Sequence, residues 1–247
     1  MENISIAGAG KIAGGMEYGK VSIAGSGSIT DSIRCEGLSC SGSGHAHGSL
    51  DCSGRISASG SFRCDGDIRT KELKAAGAFT AEGDVQADLL SVAGSVRIGG
   101  GLHGEEIRGA GSLTVGKDAE AERVDLRGSI HIVGLLNAEQ IEIYPARTDS
   151  EIGSLGGACI RIHRWEVQEN HRLSSFIRLL RGEDASGGVV RTEVIEGDEL
   201  DLDSVEADTV RGRRVHIRSG ARIRHLEYSE TCEVEEGAQI GETVRVE

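Results

Sequence analysis

The first residues that suggest chemistry are two histidines in the stretch HAH, His45 and His47. Residues i and i+2 of a strand lie on the same face, so both imidazoles would point the same way. Two imidazoles could hold a metal ion weakly, but the sequence shows no third ligand beside them. We therefore expect outward, solvated histidines and no metal site.

Six cysteines are the next candidates, and their spacing decides between three interpretations. A metal centre would need CxxC-like spacing, which is absent. A disulfide framework is typical of exported chains, and no export signal precedes the first residues, MENISIAGAG. We predict that they are small, reduced core residues. They are Cys35, Cys40, Cys52, Cys64, Cys159 and Cys232.

Arginines concentrate near the end of the chain. Between Arg211 and Arg224 there are six arginines and no acid, whereas Glu193–Asp208 contains eight acids and no base. One interpretation is a patch for an anionic ligand. The other is a ladder of ion pairs between stacked strands, because Asp201, Arg218 and Glu235 are spaced by 17, as are Glu196, Arg213 and Glu230. The spacing favours the ladder.

No motif for catalysis or nucleotide binding is present. Glycine-rich stretches such as SGSGHAHG lack the GxxxxGK[ST] pattern and the strand–GxGxxG–helix context of phosphate loops. Carboxylates are frequent, but no long loop separates the repeats to build a cleft around them. We predict no catalytic residue, no cofactor and no enzymatic activity.

The elements that carry these residues follow a 17-residue repeat. Gly60, Gly77, Gly94, Gly111 and Gly128 mark it, and Gly44, Gly27 and Gly10 extend it backwards with one apparent one-residue deletion. Apolar and polar residues alternate within each repeat, which is strand periodicity. Three columns of apolar or small residues recur at this spacing. They are Ile12, Ile29, Ala46, Phe62, Phe79, Val96, Leu113 and Ile130; Tyr18, Cys35, Cys52, Ile68, Val85, Leu102, Ala119 and Leu136; and Ile23, Cys40, Ile56, Leu73, Leu90, Ile107, Val124 and Ile141.

Short repeated strands bury their apolar side by stacking on one another, which is the logic of a solenoid. The sequence therefore predicts an all-β protein, a parallel β-helix of about 17 residues per turn with one helical or loop interruption. We expect a main stack over 3–163, an insertion over 164–189 and a second short stack over 190–246. In the second stack Leu200, Ile217 and Val234 are 17 apart, as are Ile223 and Ile240.

The insertion contains apolar residues at helical spacing, which predicts an amphipathic helix of two or three turns. It could pack on the solenoid as a surface excursion, or it could contact a partner or a membrane surface. The partner-docking candidates are Leu173, Phe176, Ile177 and Leu180.

Composition limits the partners. The chain of 247 residues has a net charge of −13, which disfavours nucleic acid, and only 3% aromatic residues, which suits thin aliphatic ladders better than a globular core. No apolar run is long enough to span a membrane. We expect a cytoplasmic protein.

The glycine–small–aliphatic repeats, the 17-residue period and the absence of catalytic loops resemble those of bactofilins, the bacterial polymer-forming cytoskeletal proteins. The resemblance covers residues 3–163 well and 190–246 more loosely. It implies a right-handed triangular β-helix that polymerises end to end, without nucleotide, into a scaffold for other proteins. The partners it implies are the chain itself, other bactofilins, and envelope or motility proteins.

The chain departs from that family in lacking a hydrophobic N-terminal tail, so we expect at most weak or indirect contact with the inner face of the membrane. The exposed end turns would pair with another copy. The candidate polymerisation residues are Ile4, Ile6, Ile240, Val244 and Val246. Two other functions stay open: a non-polymerising adaptor that docks partners through its helix, and a β-helix enzyme such as an acyltransferase or polysaccharide lyase.

Overall fold

A computed structural model describes residues 1–146, 148–164 and 188–246. Its twenty strands all belong to one parallel sheet that winds into a β-solenoid, and no helix occurs among the described residues. The predicted fold class is therefore confirmed. The helix expected near 171–181 lies outside the described residues.

Most turns contain one longer and one short strand, each pairing with the equivalent strand of the next turn. The bounds are β1 Glu2–Ile6, β2 Ala9–Ile12, β3 Glu17–Ile23, β4 Ser26–Ile29, β5 Ile33–Cys40, β6 Ser43–Ala46, β7 Leu50–Ala58, β8 Ser61–Cys64, β9 Ile68–Ala75, β10 Ala78–Ala81, β11 Val85–Val92 and β12 Ser95–Ile98. They continue as β13 Leu102–His103, β14 Glu106–Val115, β15 Ala119–Pro145, β16 Ser150–Ile162, β17 Val190–Leu202, β18 Val205–Ile217, β19 Arg222–Val234 and β20 Gln239–Arg245.

The core is a set of columns of inward-facing side chains. From β7 onwards the pairing follows the predicted 17-residue step, for example Ile56 beside Leu73 and Leu73 beside Leu90. Phe62 and Phe79 are fully buried and stack with their ring centroids 5.7 Å apart. Each added turn thus covers the apolar side of the previous one, as the repeat predicts.

The predicted register of the first three turns is wrong by two residues. Gly44 lies beside Phe62, and Ala46 lies beside Cys64 rather than Phe62. Likewise Cys40 pairs with Ala58 instead of Ile56. All of these residues are nevertheless inward, because positions i and i+2 share a face of a strand. A two-residue error therefore leaves the inward face unchanged and cannot be detected from apolar patterning.

The physical cause is one inserted residue, where the sequence suggested one deletion. The pairing of β7 with both neighbours shifts between Cys52 and Arg55, so Ser53 and Gly54 form a bulge. The hydroxyl of Thr70, in the next turn, donates a hydrogen bond of 2.8 Å to the carbonyl oxygen of Gly54. The bulged turn has 18 residues, and the column of Gly60 continues backwards through Gly42 and Gly25 rather than through Gly44 and Gly27.

One corner of the solenoid is held by side chains that bond to the backbone of the following turn. The Ser32 hydroxyl accepts from the amide of Ser49, and the Ser49 hydroxyl accepts from the amide of Asp67. The carboxylates of Asp67 and Asp84 accept in the same way from the amides of Asp84 and Gly101. Amides without a strand partner at this corner are thereby satisfied.

The strands on either side of the insertion pair directly, since β17 lies along β16 with Ile160 beside Leu200. The next step is only 15 residues, so Leu200 lies beside Val215 and the predicted pairing of Leu200 with Ile217 is wrong. Two residues, Asp203 and Ser204, make the corner between β17 and β18, and Ser204 has a left-handed φ of 57°. Later steps return to 17, with Ile217 beside Val234 and Ile223 beside Ile240.

Candidate assembly interface and side-chain clusters

The first turn ends the described solenoid on one side. β1 pairs with β3, and no described strand pairs with the other edge of β1. Ile4 is half-buried and Ile6 is buried, in columns that continue through the fully buried Val21 and Ile23. The edge therefore exposes both unpaired backbone groups and part of an apolar column.

The last turn ends the described solenoid on the other side. β20 pairs with β19, and among the described residues nothing pairs with the outer edge of β20 or covers the end of β19. Ile240 and Cys232 are half-buried, and Val234 is 49% exposed. Apolar column residues are thus more exposed here than in the interior turns.

The predicted interface residues near the C-terminus do not all occupy the same kind of position. Ile240 continues the inward column of Ile223. Val244 pairs with Glu227, which faces outward, while Thr243 continues the inward column of Leu226. Val246 is 41% exposed. Leu173, Phe176, Ile177 and Leu180 lie outside the described residues.

The arginines between Arg211 and Arg224 all contact carboxylates of neighbouring turns, as the ladder hypothesis predicts. Arg218 makes two hydrogen bonds to Asp201, of 2.6 and 2.9 Å. Arg213 and Arg214 share Glu230, and Arg214 also contacts Glu199. The remaining pairs are Arg211–Glu227, Arg222–Glu206 and Arg224–Asp208.

The individual partners differ in part from the 17-residue expectation because of the 15-residue step. Glu196 pairs in register with Arg211, while Arg213 lies between Asp198 and Glu230. Glu235 contacts His216 at 3.3 Å. The Asp201 carboxyl group loses solvation on burial, yet Arg218 and the neighbouring histidines outweigh this and hold its pKa below the usual range. The positive charge of this segment is neutralised within the fold.

The cysteines lie where the sequence predicted. Cys35, Cys40, Cys52 and Cys64 are buried and Cys159 and Cys232 half-buried, all as free thiols. Cys35 and Cys52 are neighbours in one column. Burial raises the pKa of Cys64 to about 11 and also raises that of Cys40. These thiols act as core residues.

The two histidines of the HAH stretch converge on a residue that the sequence did not indicate. His45 Nε2 lies 2.8 Å and His47 Nδ1 lies 3.2 Å from the same oxygen of Asp65, Oδ2. The other oxygen of Asp65 accepts a hydrogen bond of 3.0 Å from Arg63. The hydrogen bond from His45, followed by that from Arg63, lowers the pKa of Asp65 to about 2. The carboxylate is therefore ionised at neutral pH.

The register error explains why Asp65 was missed. A 16-residue step places Arg63 beside His47, whereas the 18-residue step places Arg63 beside His45 and Asp65 one position beyond Ala46 and Cys64, next to His47. The bulge in β7 was the deciding feature. Its signal in the sequence is the dipeptide Ser53-Gly54, since a glycine inside a strand often marks a bulge.

Comparison with known proteins gives one distant relative. The chain is 33% identical over 97 residues to an uncharacterised protein, YhbF, of Bacillus subtilis (strain 168); the match covers 39% of this chain and 35% of YhbF. No family model matches, and no solved structure matches. Among the described residues, no helix is long and apolar enough to cross a membrane.

Proposed function

We propose that this protein is a structural scaffold that polymerises end to end through the exposed edges of its first and last turns. The observation that carries the proposal is the pair of unpaired parallel edges, β1 at one end and β20 at the other. Unpaired strand edges template pairing with another chain unless they are blocked. An end-to-end contact whose rotation does not close generates an open filament.

The half-buried apolar residues at the two ends favour the same assembly. In the interior turns the columns of Ile4 and Ile240 are almost completely buried. A second copy stacked on either end would bury these residues in the same way and would pair the free backbone groups. Burying apolar surface contributes about 25 cal/mol per Å², so association would gain from both hydrogen bonding and desolvation.

The resemblance of the repeat to bactofilins supports a cytoskeletal role for such a polymer. On that model the filaments form without nucleotide in the cytoplasm, and they position envelope or motility proteins. The chain itself is the first partner, with related bactofilins as further partners. No catalytic step and no cofactor belongs to this function.

Electron microscopy and sedimentation of the purified full chain, with no nucleotide added, test the proposal. We expect filaments for the wild type and short soluble species for Ile4→Lys and for Ile240→Lys, because each change puts a charge into one end column. Val133→Lys is the matched control, since Val133 is 61% exposed but lies in an interior turn. It should leave filaments unchanged.

Circular dichroism separates loss of assembly from loss of folding, because each end variant should keep the β-sheet spectrum. A wild type that is monomeric at every protein and salt concentration would refute the polymer. Filaments that persist in both end variants would refute the proposed contact surfaces.

A second candidate, a non-polymerising adaptor, rests on a groove beside Val133. The groove is lined by apolar residues of several turns, including Ile152, Ile223 and Ile240. An adaptor would remain monomeric in the sedimentation experiment, and Val133→Lys would weaken its partner binding. The two candidates therefore give opposite results for the same three variants.

A further inference from the structure

We propose that His45, His47 and Asp65 form a binding site for a divalent transition-metal ion such as Zn²⁺, with one coordination position left open. The three residues each offer one ligand atom, and these atoms lie within 4.8 Å of one another. Imidazole nitrogen and carboxylate oxygen are both common zinc ligands, and three protein ligands with a free fourth position are a recurrent arrangement.

The two imidazoles and the carboxylate are directed at one point. His45 Nε2 and His47 Nδ1 both face Asp65 Oδ2, at 2.8 and 3.2 Å. In a tetrahedral site with ligands about 2.0–2.1 Å from the ion, neighbouring ligand atoms are roughly 3.3 Å apart. The observed spacings are close to that value. A cation would replace the protons that now lie between the rings and the carboxylate.

Other histidines that contact two carboxylates lack this convergence. His225 reaches Glu242 through Nδ1 and Glu227 through Nε2. His216 likewise uses its two nitrogens for Asp201 and Glu235. The two nitrogens of one ring point in different directions, so their carboxylate partners cannot share an ion with that ring. The HAH stretch differs because two rings on one strand face approach a single acid.

The surroundings of Asp65 prepare it as a ligand. Arg63 binds Oδ1 and leaves Oδ2 to the histidines, and the same guanidinium contacts Glu82 at 3.1 Å. Hydrogen bonds from neighbouring residues orient ligating carboxylates in metal sites. The three ligand side chains are all partly exposed, which gives an ion access from solvent.

Calorimetric titration of the full-length protein with Zn²⁺ tests the site. We expect the wild type to bind Zn²⁺ and His47→Ala and Asp65→Asn to bind at least roughly tenfold more weakly, since even outer-shell changes cost about 10–100-fold. The matched control is His103→Ala, because His103 contacts a single carboxylate, Glu120, at 3.2 Å. Its affinity should equal that of the wild type.

Co²⁺ provides a second readout, since a tetrahedral nitrogen–oxygen site gives an intense visible absorption that weak, scattered surface binding does not. We expect this absorption for the wild type and for His103→Ala, and its loss in His47→Ala. Equal Zn²⁺ affinity in the wild type and His47→Ala would overturn the proposal. So would an equal loss of affinity in His103→Ala. Far-UV circular dichroism of each variant shows whether the solenoid is intact.

Discussion

The contact between Gly44 and Phe62 allows a sharp test of the 18-residue turn. A Cβ added at Gly44 would lie 2.6 Å from Cδ2 and 2.9 Å from Cε2 of Phe62, and 3.0 Å from Cys40 Sγ. Ordinary carbon–carbon contacts are about 3.5–4.0 Å. The Phe62 ring is fully buried and stacks on Phe79, so it cannot move away freely. Gly44→Ala must therefore strain the core.

The expected size follows from two opposing terms. Overpacking of a core costs about 1–3 kcal/mol. Replacing glycine by alanine where the backbone permits it recovers about 0.4–1 kcal/mol through the unfolded state. The net loss in the free energy of unfolding is about 1–2 kcal/mol, which lowers Tm by about 2–8 °C in a chain of this size.

Thermal melting followed by far-UV circular dichroism measures this change. Gly10→Ala is the matched control, because Gly10 begins the same column and a Cβ there would lie 3.4 Å from Ile6, a tolerable contact at the end of the solenoid. We expect the Tm of Gly10→Ala to equal or slightly exceed that of the wild type.

A double-mutant cycle assigns the strain to its partner. Phe62→Leu removes part of the ring that a Cβ at Gly44 would meet, so Gly44→Ala should cost at least about 0.5 kcal/mol less in that background. In the alternative 16-residue register Gly44 would lie beside Gly60 instead, and the two changes would be independent. Strict additivity, or an unchanged Tm for Gly44→Ala, would refute the register described above.

Three further outcomes are expected. Arg218→Glu places a third negative charge beside the partly buried Asp201, so the free energy of unfolding should fall by about 1–2 kcal/mol at low salt and recover in Asp201→Arg/Arg218→Glu; a salt-independent melt would argue against the ladder. A thiol reagent should modify Cys159 and Cys232 in the native protein and reach the buried thiols only in denaturant, and rapid labelling of those would contradict their column positions: Cys35, Cys40, Cys52 and Cys64. Stability should fall in acid, because the pKa of Asp65 is lowered from 3.8 to about 2: its contribution is complete above pH 3.8 and lost as the pH falls towards 2, so a replacement by asparagine should flatten a pH–Tm profile in that window.

The sequence by itself was enough to predict the parallel β-solenoid, the inward face of its strands and the buried cysteines. The reason is that stacking of like repeats makes the 17-residue spacing visible as columns, and alternation within a strand shows which side is buried. The existence of an ionic ladder in the last turns also followed from spacing, since every arginine there lies near an acid about one turn away.

Only the tertiary structure decided which residues are neighbours where the turn length changes. The bulge at Ser53-Gly54 lengthens one turn to 18 residues, and the left-handed corner at Ser204 shortens another step to 15. Neither change alters which residues point inward, because the errors they cause are even-numbered and strand faces repeat every two residues. They do alter which side chains meet, and for that reason Asp65 beside the histidines could be found only once the chain was folded.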